Sequence, residues 1–205
     1  MVLSRRGVVY SVPSFSFGRK YMVILIKFKF MSLIRLLFLL ALVGVFTPAH
    51  ARGTYQEPAD FLSEVFQGDV PEPNIIWLKD GLKEQVEEIL SHRYKGRRIR
   101  YWHKENRIVW ILEEVGKKKP ITTGIVINSG RIEKIKVLIF RESRGWEVRY
   151  PFFTKQYIDS GLKAGNKLDK TIDGISGATL SVRALTKLAR IALLLSKQIT
   201  QNVTK

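Results

Sequence analysis

One short stretch near the carboxyl end of the chain combines residue types that could hold and modify an anionic ligand. It reads DGISGAT over residues 173–179 and stands directly before an apolar pattern with helical spacing. The free N–H groups and the dipole of a helix N-terminus favour an anion by about 0.3–1 kcal/mol. We therefore expect a phosphate-binding loop. Gly177 and Ala178 leave room for a large group, and Thr179 offers a hydroxyl that can be esterified.

The same stretch resembles two other local features, a helix N-cap and the nucleophile elbow of hydrolases. Asp173 or Ser176 could serve only as the N-cap of the following helix, a role that these residue types often fill. A hydrolase is disfavoured because Ala178 replaces the last glycine of a G-x-S-x-G nucleophile elbow. No histidine follows Ser176, whereas that fold places its acid and its histidine after the serine.

The elements that must position the stretch are predicted from periodicity. Alternating β-branched runs predict two hairpins, and amphipathic spacing predicts helices before and after them. Strands followed by a terminal helix, without repeated βαβ units, indicate a single α+β domain with antiparallel hairpins. The predicted segments are a leading arm over 52–77 with a helical stretch over 59–66, a helix over 78–92, strands over 98–103, 107–113, 123–127 and 132–140, a helical patch over 152–160, and a last helix over 176–197.

The last predicted helix has an apolar face and a basic face. The basic face could bind an acidic redox partner or could simply be solvated. The apolar face comprises Leu180, Ala184, Leu188, Ile191, Ala192 and Leu195, and the basic face comprises Arg183, Lys187 and Arg190.

Composition restricts the class of protein. The chain has 205 residues and no cysteine, which excludes disulfides, thiolate metal sites and iron–sulfur clusters. Its formal charge is +17, but residues 1–51 contribute seven basic residues and no acid, leaving 35 − 7 = 28 basic against 18 acidic residues. Nucleic acid is therefore not the expected partner. His92 and His103 are interpreted as solvated side chains rather than metal ligands.

The amino-terminal region has the layout of a secretory signal peptide. Over residues 31–51 an arginine precedes an apolar run, and the small-x-small triplet Ala49-His50-Ala51 follows. The run from Leu36 to Phe46 is shorter than the roughly 20 residues that span a bilayer. We expect cleavage after Ala51 and export to the periplasm. Residues 1–30 look like an upstream extension that is not native.

The stretch at 173–179 resembles the flavinylation motif D-x-x-S/T-G-A-T of the FMN-binding domain family. That family includes subunits of the sodium-translocating NADH:quinone reductase and of Rnf-type complexes. The matching residues are Asp173, Ser176, Gly177, Ala178 and Thr179. The resemblance implies that Thr179 carries FMN through its phosphate, donated from FAD by a separate periplasmic flavin transferase.

The resemblance extends over nearly all of the mature chain. Further similar segments are RYW (100–102), WILEEVGK (110–117), PITTGIV (120–126) and FRESRGWEVRYPFF (140–153). It implies an FMN-binding domain over 78–198, followed by a flexible tail over 199–205. Glu142 occupies the place of a glutamate in the family's flavin-side loop, although Arg144 and Trp146 depart from the commoner pattern there.

Aromatic residues near Glu142 could contact the isoalloxazine ring or could fill the core. Trp146 and Phe153 are the candidates for flavin contact. The resulting expectation is a periplasmic electron carrier whose redox partners are cytochromes or membrane reductases. A module that binds FMN non-covalently, as a sensor or carrier, and an exported structural protein without flavin are the alternatives.

Overall fold

The computed structural model describes residues 53–203. The expected upstream extension and signal peptide, residues 1–51, lie outside the described residues. Within the described range, no helix is long and apolar enough to cross a membrane.

An antiparallel sheet forms the centre of the fold. Its strands lie in chain order, so each strand pairs with the next one along the sequence. β-branched and aromatic residues dominate these strands, as a half-buried pleated surface favours. Both predicted hairpins are confirmed, and β3 and β4 also pair with each other. The strands are β1 (Asn74–Trp77), β2 (Arg98–Lys104), β3 (Arg107–Val115), β4 (Pro120–Asn128) and β5 (Arg131–Phe140).

The pairing of β2 with β3 covers only the half of the hairpin near its turn. It runs from Lys104 opposite Arg107 to Tyr101 opposite Trp110 and stops there. By contrast, β3 stays paired with β4 as far as Val115. The sheet is therefore open between the outer halves of β2 and β3.

Helices lie on both sides of the sheet, which confirms an α+β fold. Two 3₁₀ segments, Trp146–Arg149 and Lys155–Tyr157, flank the short helix that follows β5. A small hairpin then leads to the last helix, with a third 3₁₀ segment, Ala164–Asn166, between its strands. The helices are α1 (Pro58–Val65), α2 (Asp80–Leu90), α3 (Pro151–Thr154) and α4 (Thr179–Val203), and the small hairpin is β6 (Leu162–Lys163) with β7 (Lys167–Leu168).

The two faces of the sheet bury separate apolar clusters. On one face α4 covers the larger cluster, where Trp110 is fully buried and its indole N–H donates to Ser196 Oγ at 2.8 Å. On the other face α1 contributes Phe61, which packs with Val109 and Leu138 in the smaller cluster. Burying each large apolar side chain contributes about 1.5–3 kcal/mol, so α4 is anchored along most of its length.

The segment expected to be a leading arm is part of the fold. The helical stretch is confirmed as α1, but residues 74–77 form β1, which pairs with β2 from Asn74 opposite Tyr101 to Trp77 opposite Arg98. The sequence did not predict β1, because its hydrogen-bonding partner lies beyond α2 in the chain, and the boundary between a leading arm and the domain at residue 77 stays a prediction.

The last helix differs from its predicted bounds at both ends. It begins at Thr179 rather than near Ser176, and it continues to Val203. Ile199 is buried, so the expected flexible tail belongs in part to the helix. Leu180, which the periodicity assigned to the apolar face, is exposed because the first turn extends beyond the core.

The basic face of α4 does not form a free stripe. Lys187 Nζ donates to Leu90 O at 2.5 Å and pairs with Glu114 Oε1 at 3.2 Å. Arg190 Nε donates to Asn166 O at 2.6 Å. Two of the three predicted docking cations thus hold neighbouring elements together, and Arg183 is the exposed one.

Candidate flavin-attachment site

The motif enters α4 through a tight turn. Ala178 N–H donates to Ile175 O at 3.0 Å, and Gly177, the third residue of this turn, has a φ of +81°. A positive φ at that position alone defines a type II turn, which strongly favours glycine. Upstream, Asp173 N–H donates to Gln156 Oε1 at 2.7 Å, which fastens the start of the motif to the 3₁₀ segment after α3.

The first turn of α4 leaves backbone N–H groups without hydrogen-bond acceptors. Val182 N–H is the first to bond back, to Ala178 O at 3.0 Å. Ala178 therefore occupies the N-cap position and has no side-chain oxygen to cap the helix. Within residues 53–203, the N–H groups of Thr179, Leu180 and Ser181 have no acceptor.

This arrangement contradicts the interpretation of the motif as a simple cap. Neither Asp173 nor Ser176 occupies the N-cap position, because the helix begins one residue after Ala178. Both side chains are exposed, as is Thr179, while Ala178 is buried. The hydroxyl of Thr179 makes no hydrogen bond within the described part of the chain.

The space around the motif suits a phosphate monoester. A Cβ built at Gly174 or Gly177 would meet no heavy atom within 4 Å. Three free N–H donors and the positive end of a long helix dipole lie beside the Thr179 hydroxyl, and such donors bind phosphate oxygens. The residues present therefore fit the phosphate end of a flavin mononucleotide.

A second loop packs against the first turn of α4. Gly145 is buried with a φ of +81°, and a Cβ there would lie 2.5 Å from Ser181 Oγ and 3.4 Å from Ala178 Cα. The structure thus brings the 142–146 loop into contact with the motif. The sequence interpretation did not identify Gly145 and Ser181 as a pair, because they are far apart in the chain.

Glu142 holds a backbone turn at the edge of this site. Its Oε1 accepts the N–H groups of Lys117, Lys118 and Lys119 at 2.6, 2.5 and 2.8 Å. Burial raises the pKa of this carboxyl, but the three backbone donors and nearby Lys117 outweigh burial and leave the pKa below its usual value. Glu142 therefore positions the β3–β4 turn in this structure, and flavin contact by its carboxylate stays a prediction.

The aromatic candidates differ in their exposure. Trp146 is 40% exposed and lies edge-on to Tyr150 at 5.6 Å between ring centroids. The guanidinium of Arg149 lies over the rings of Tyr55 and Trp146 at 4.2 and 5.1 Å. Trp146 thus belongs to a surface aromatic cluster that adjoins Gly145, in a place where a flat ring has access.

Phe153 is fully buried and stands edge-on to Tyr157 at 5.6 Å. It has no exposed face for a ligand, so its position favours the core interpretation over flavin contact. Its neighbour Phe152 is 63% exposed instead. Periodicity could not show which of the two phenylalanines is buried, because α3 is a single turn between two 3₁₀ segments.

Two open cavities lie away from the motif. Two cavities of about 550 and 580 Å³ have no lining residue from 141–181 except Leu162. A group attached at Thr179 would therefore lie on the protein surface rather than in a deep pocket.

His92 is engaged with a buried acid. Its Nε2 lies 3.1 Å from Glu114 Oε2, and Glu114 is also the partner of Lys187. Among the described residues, no group of three His, Cys, Asp or Glu side chains is arranged as a metal site.

A surface hydroxyl beside free N–H donors at a helix N-terminus is an arrangement that can bind a phosphate group. Residues 116–194 match the family model described as the FMN-binding domain. The resemblance to the FMN-binding domain family is therefore confirmed over this part of the chain. The match begins in the β3–β4 turn and ends within α4, so it includes the 142–146 loop and the whole motif. No curated protein matches the chain.

Proposed function

We propose that this protein is a periplasmic electron carrier that holds FMN through a phosphoester to Thr179. The observation that carries the proposal is the exposed Thr179 hydroxyl beside three free N–H donors, inside a segment that belongs to the FMN-binding domain family. A bound flavin supplies one- and two-electron chemistry. The chain's own residues fix the phosphate end, and Trp146 offers a ring on which the isoalloxazine can stack.

Attachment at the surface agrees with a role in electron transfer. A flavin held on the outside of the domain is accessible to cytochromes or membrane reductases, the partner classes that we propose. A covalent bond keeps the cofactor on the protein in a compartment where a dissociated flavin would be diluted. The flavin transferase with its FAD donor, and export by a signal peptide cleaved after Ala51, are parts of the same proposal.

The test is flavin fluorescence in a denaturing gel after co-production with a flavin transferase. Wild type and Thr179→Ser retain a hydroxyl, and wild type is expected to fluoresce. Thr179→Ala is expected to lose the signal completely. Thr171→Ala removes an exposed threonine outside the motif and serves as the matched control. The mass of the intact protein should increase by one FMN less one water.

Two outcomes contradict the proposal. Fluorescence that persists in Thr179→Ala moves the attachment to another residue. A protein that is yellow when native but colourless after denaturation is a non-covalent FMN module, the alternative that the family match alone also permits.

A further inference from the structure

The opening between β2 and β3 forms a slot that reaches the core. β2 pairs with β1 over Arg98–Tyr101, and β3 pairs with β4 to its end, yet Arg98–Arg100 of β2 do not pair with residues 111–113 of β3. A cavity of about 580 Å³ occupies this gap. Its size falls in the range of small-molecule sites, which is about 300–1,000 Å³.

Most of the residues that line the slot are apolar, and they come from both faces of the sheet. On the α1 side they include Trp102, Ile111 and Ile139. On the α4 side Leu90 and Leu188, both buried, also line the cavity. An apolar cavity that penetrates between strands suits a hydrocarbon chain better than a small polar ligand.

The mouth of the slot is cationic. Arg98 and Arg100 line it, both are exposed, and neither has an acidic partner within residues 53–203. Glu113 is the one carboxylate in the lining, and Thr122 Oγ1 and Arg141 Nη1 donate to it at 2.5 and 3.4 Å. The two arginines are therefore free to bind an anion from outside the chain.

The surface around the mouth continues the same pattern. The loop before β2 adds three exposed cations that have no acidic partner among the described residues, namely Arg93, Lys95 and Arg97. Trp77, 53% exposed, lies directly opposite Arg98 in the sheet, and exposed Ile75 lies opposite Arg100. Unpaired cations beside an exposed tryptophan are typical of protein surfaces that contact anionic membranes.

We propose that the slot binds an anionic lipid, with the acyl chain between β2 and β3 and the headgroup on Arg98 and Arg100. A free inorganic anion would use the arginines but leave the apolar walls without a ligand. The binding would hold the domain at an anionic membrane surface.

The first experiment measures co-sedimentation with phosphatidylglycerol vesicles and with phosphatidylcholine vesicles. The wild-type protein is expected to bind the anionic vesicles only. Arg98→Gln/Arg100→Gln should bind about tenfold or more weakly, because each cation near a charged surface contributes measurably to the affinity. Lys163→Gln/Lys167→Gln removes two exposed charges outside the slot and should bind like wild type.

The second experiment tests entry of the chain with phosphatidylglycerol that carries bromine on its acyl chain. Quenching of tryptophan fluorescence is measured in a Trp77→Phe background, because exposed Trp77 lies opposite Arg98 and would be quenched by membrane contact alone. Quenching is expected in Trp77→Phe and should be largely lost in Trp77→Phe/Trp102→Phe. Equal binding to both kinds of vesicle, or a loss of binding that is the same in the two double variants, overturns the proposal. Unchanged quenching in Trp77→Phe/Trp102→Phe also overturns it.

Two further measurements distinguish a lipid in the slot from an inorganic anion and from the flavin. Inorganic phosphate that displaces the protein from vesicles at low millimolar concentration would show an anion site alone and overturn the lipid assignment. Thr179→Ala should bind vesicles as wild type does. A loss of lipid binding in that variant, or a loss of flavin in Arg98→Gln/Arg100→Gln with vesicle binding intact, would assign the slot to the flavin.

Discussion

Gly145 lets the 142–146 loop pack against the first turn of α4, the two parts of the candidate site. Its positive φ turns the chain toward α4, and its lack of a side chain lets the backbone lie against Ala178 and Ser181. In any residue with a Cβ, the positive φ would be unfavourable and the Cβ would clash with Ser181 Oγ. The loop and the motif therefore keep their present distance only with glycine at this position.

We expect Gly145→Ala to lower the free energy of unfolding by about 2–4 kcal/mol, from backbone strain plus overpacking. Gly130→Ala is the matched control, because its φ is +78° but its Cβ would meet nothing within 4 Å. It should cost about 1 kcal/mol. Urea unfolding measures both. Ser181→Ala in the Gly145→Ala background should recover part of the loss, and equal costs for the two glycines would contradict the contact.

At the scale of elements, the β3–β4 turn and the loop after β5 depend on one carboxylate. Glu142 accepts three successive N–H groups of the turn, so the position of the loop that carries Gly145 is linked to that turn. Hydrogen bonds to a charged acceptor are stronger than neutral ones, although solvent access reduces their net contribution here.

Glu142→Gln is expected to destabilise the protein by about 1 kcal/mol at neutral pH. Because the folded state lowers the pKa of this carboxyl, its contribution is present above the unfolded value of 4.5 and is lost as the pH falls through the lower folded pKa. The difference between wild type and variant should therefore shrink below pH 4. Urea unfolding across this range measures it, with Glu72→Gln, an exposed glutamate, as control. A pH-independent difference would show that packing rather than charge is responsible.

The elements that could be predicted from sequence are those whose pattern is local. Alternation over 107–113 and 132–140 identified strands, and the contiguous DGISGAT stretch identified the motif. β1 was missed because four residues directly after Pro71 and Pro73 carry little periodicity and its partner strand follows a helix. The contact of Gly145 with Ser181 and the burial of Phe153 rather than Phe152 depend on tertiary packing, which a single sequence does not contain.

At the scale of the molecule, one buried carboxylate connects three elements of the fold. Glu114 lies inside the fold on β3, where Lys187 of α4 and His92 after α2 reach it. The hydrogen bond to Arg93 O and the interaction with Glu114 raise the pKa of His92 above 6.5. The protonated ring donates from both nitrogens, so it binds both acceptors at once.

The sign of this shift predicts a pH dependence of stability. A raised folded pKa means that the stabilisation is complete below the unfolded value of 6.5 and is lost as the pH rises through the folded pKa. His92→Gln should therefore be less stable than wild type near pH 6, by less than about 1 kcal/mol because the ring is half exposed. The two proteins should converge near pH 9. His103→Gln is the control, and an identical profile for wild type and His92→Gln would contradict the linkage.

If Thr179 carries FMN as proposed, its open surroundings bear on the order of events during maturation. Because the hydroxyl lies outside the core and the neighbouring glycines leave free space, a second protein can reach it without disturbing any buried contact. A modifying enzyme can thus act after the polypeptide has attained its native conformation, and it can recognise that conformation rather than a linear peptide. An unfolded chain would then be a poor substrate, which gives cofactor insertion an inherent check on correct folding.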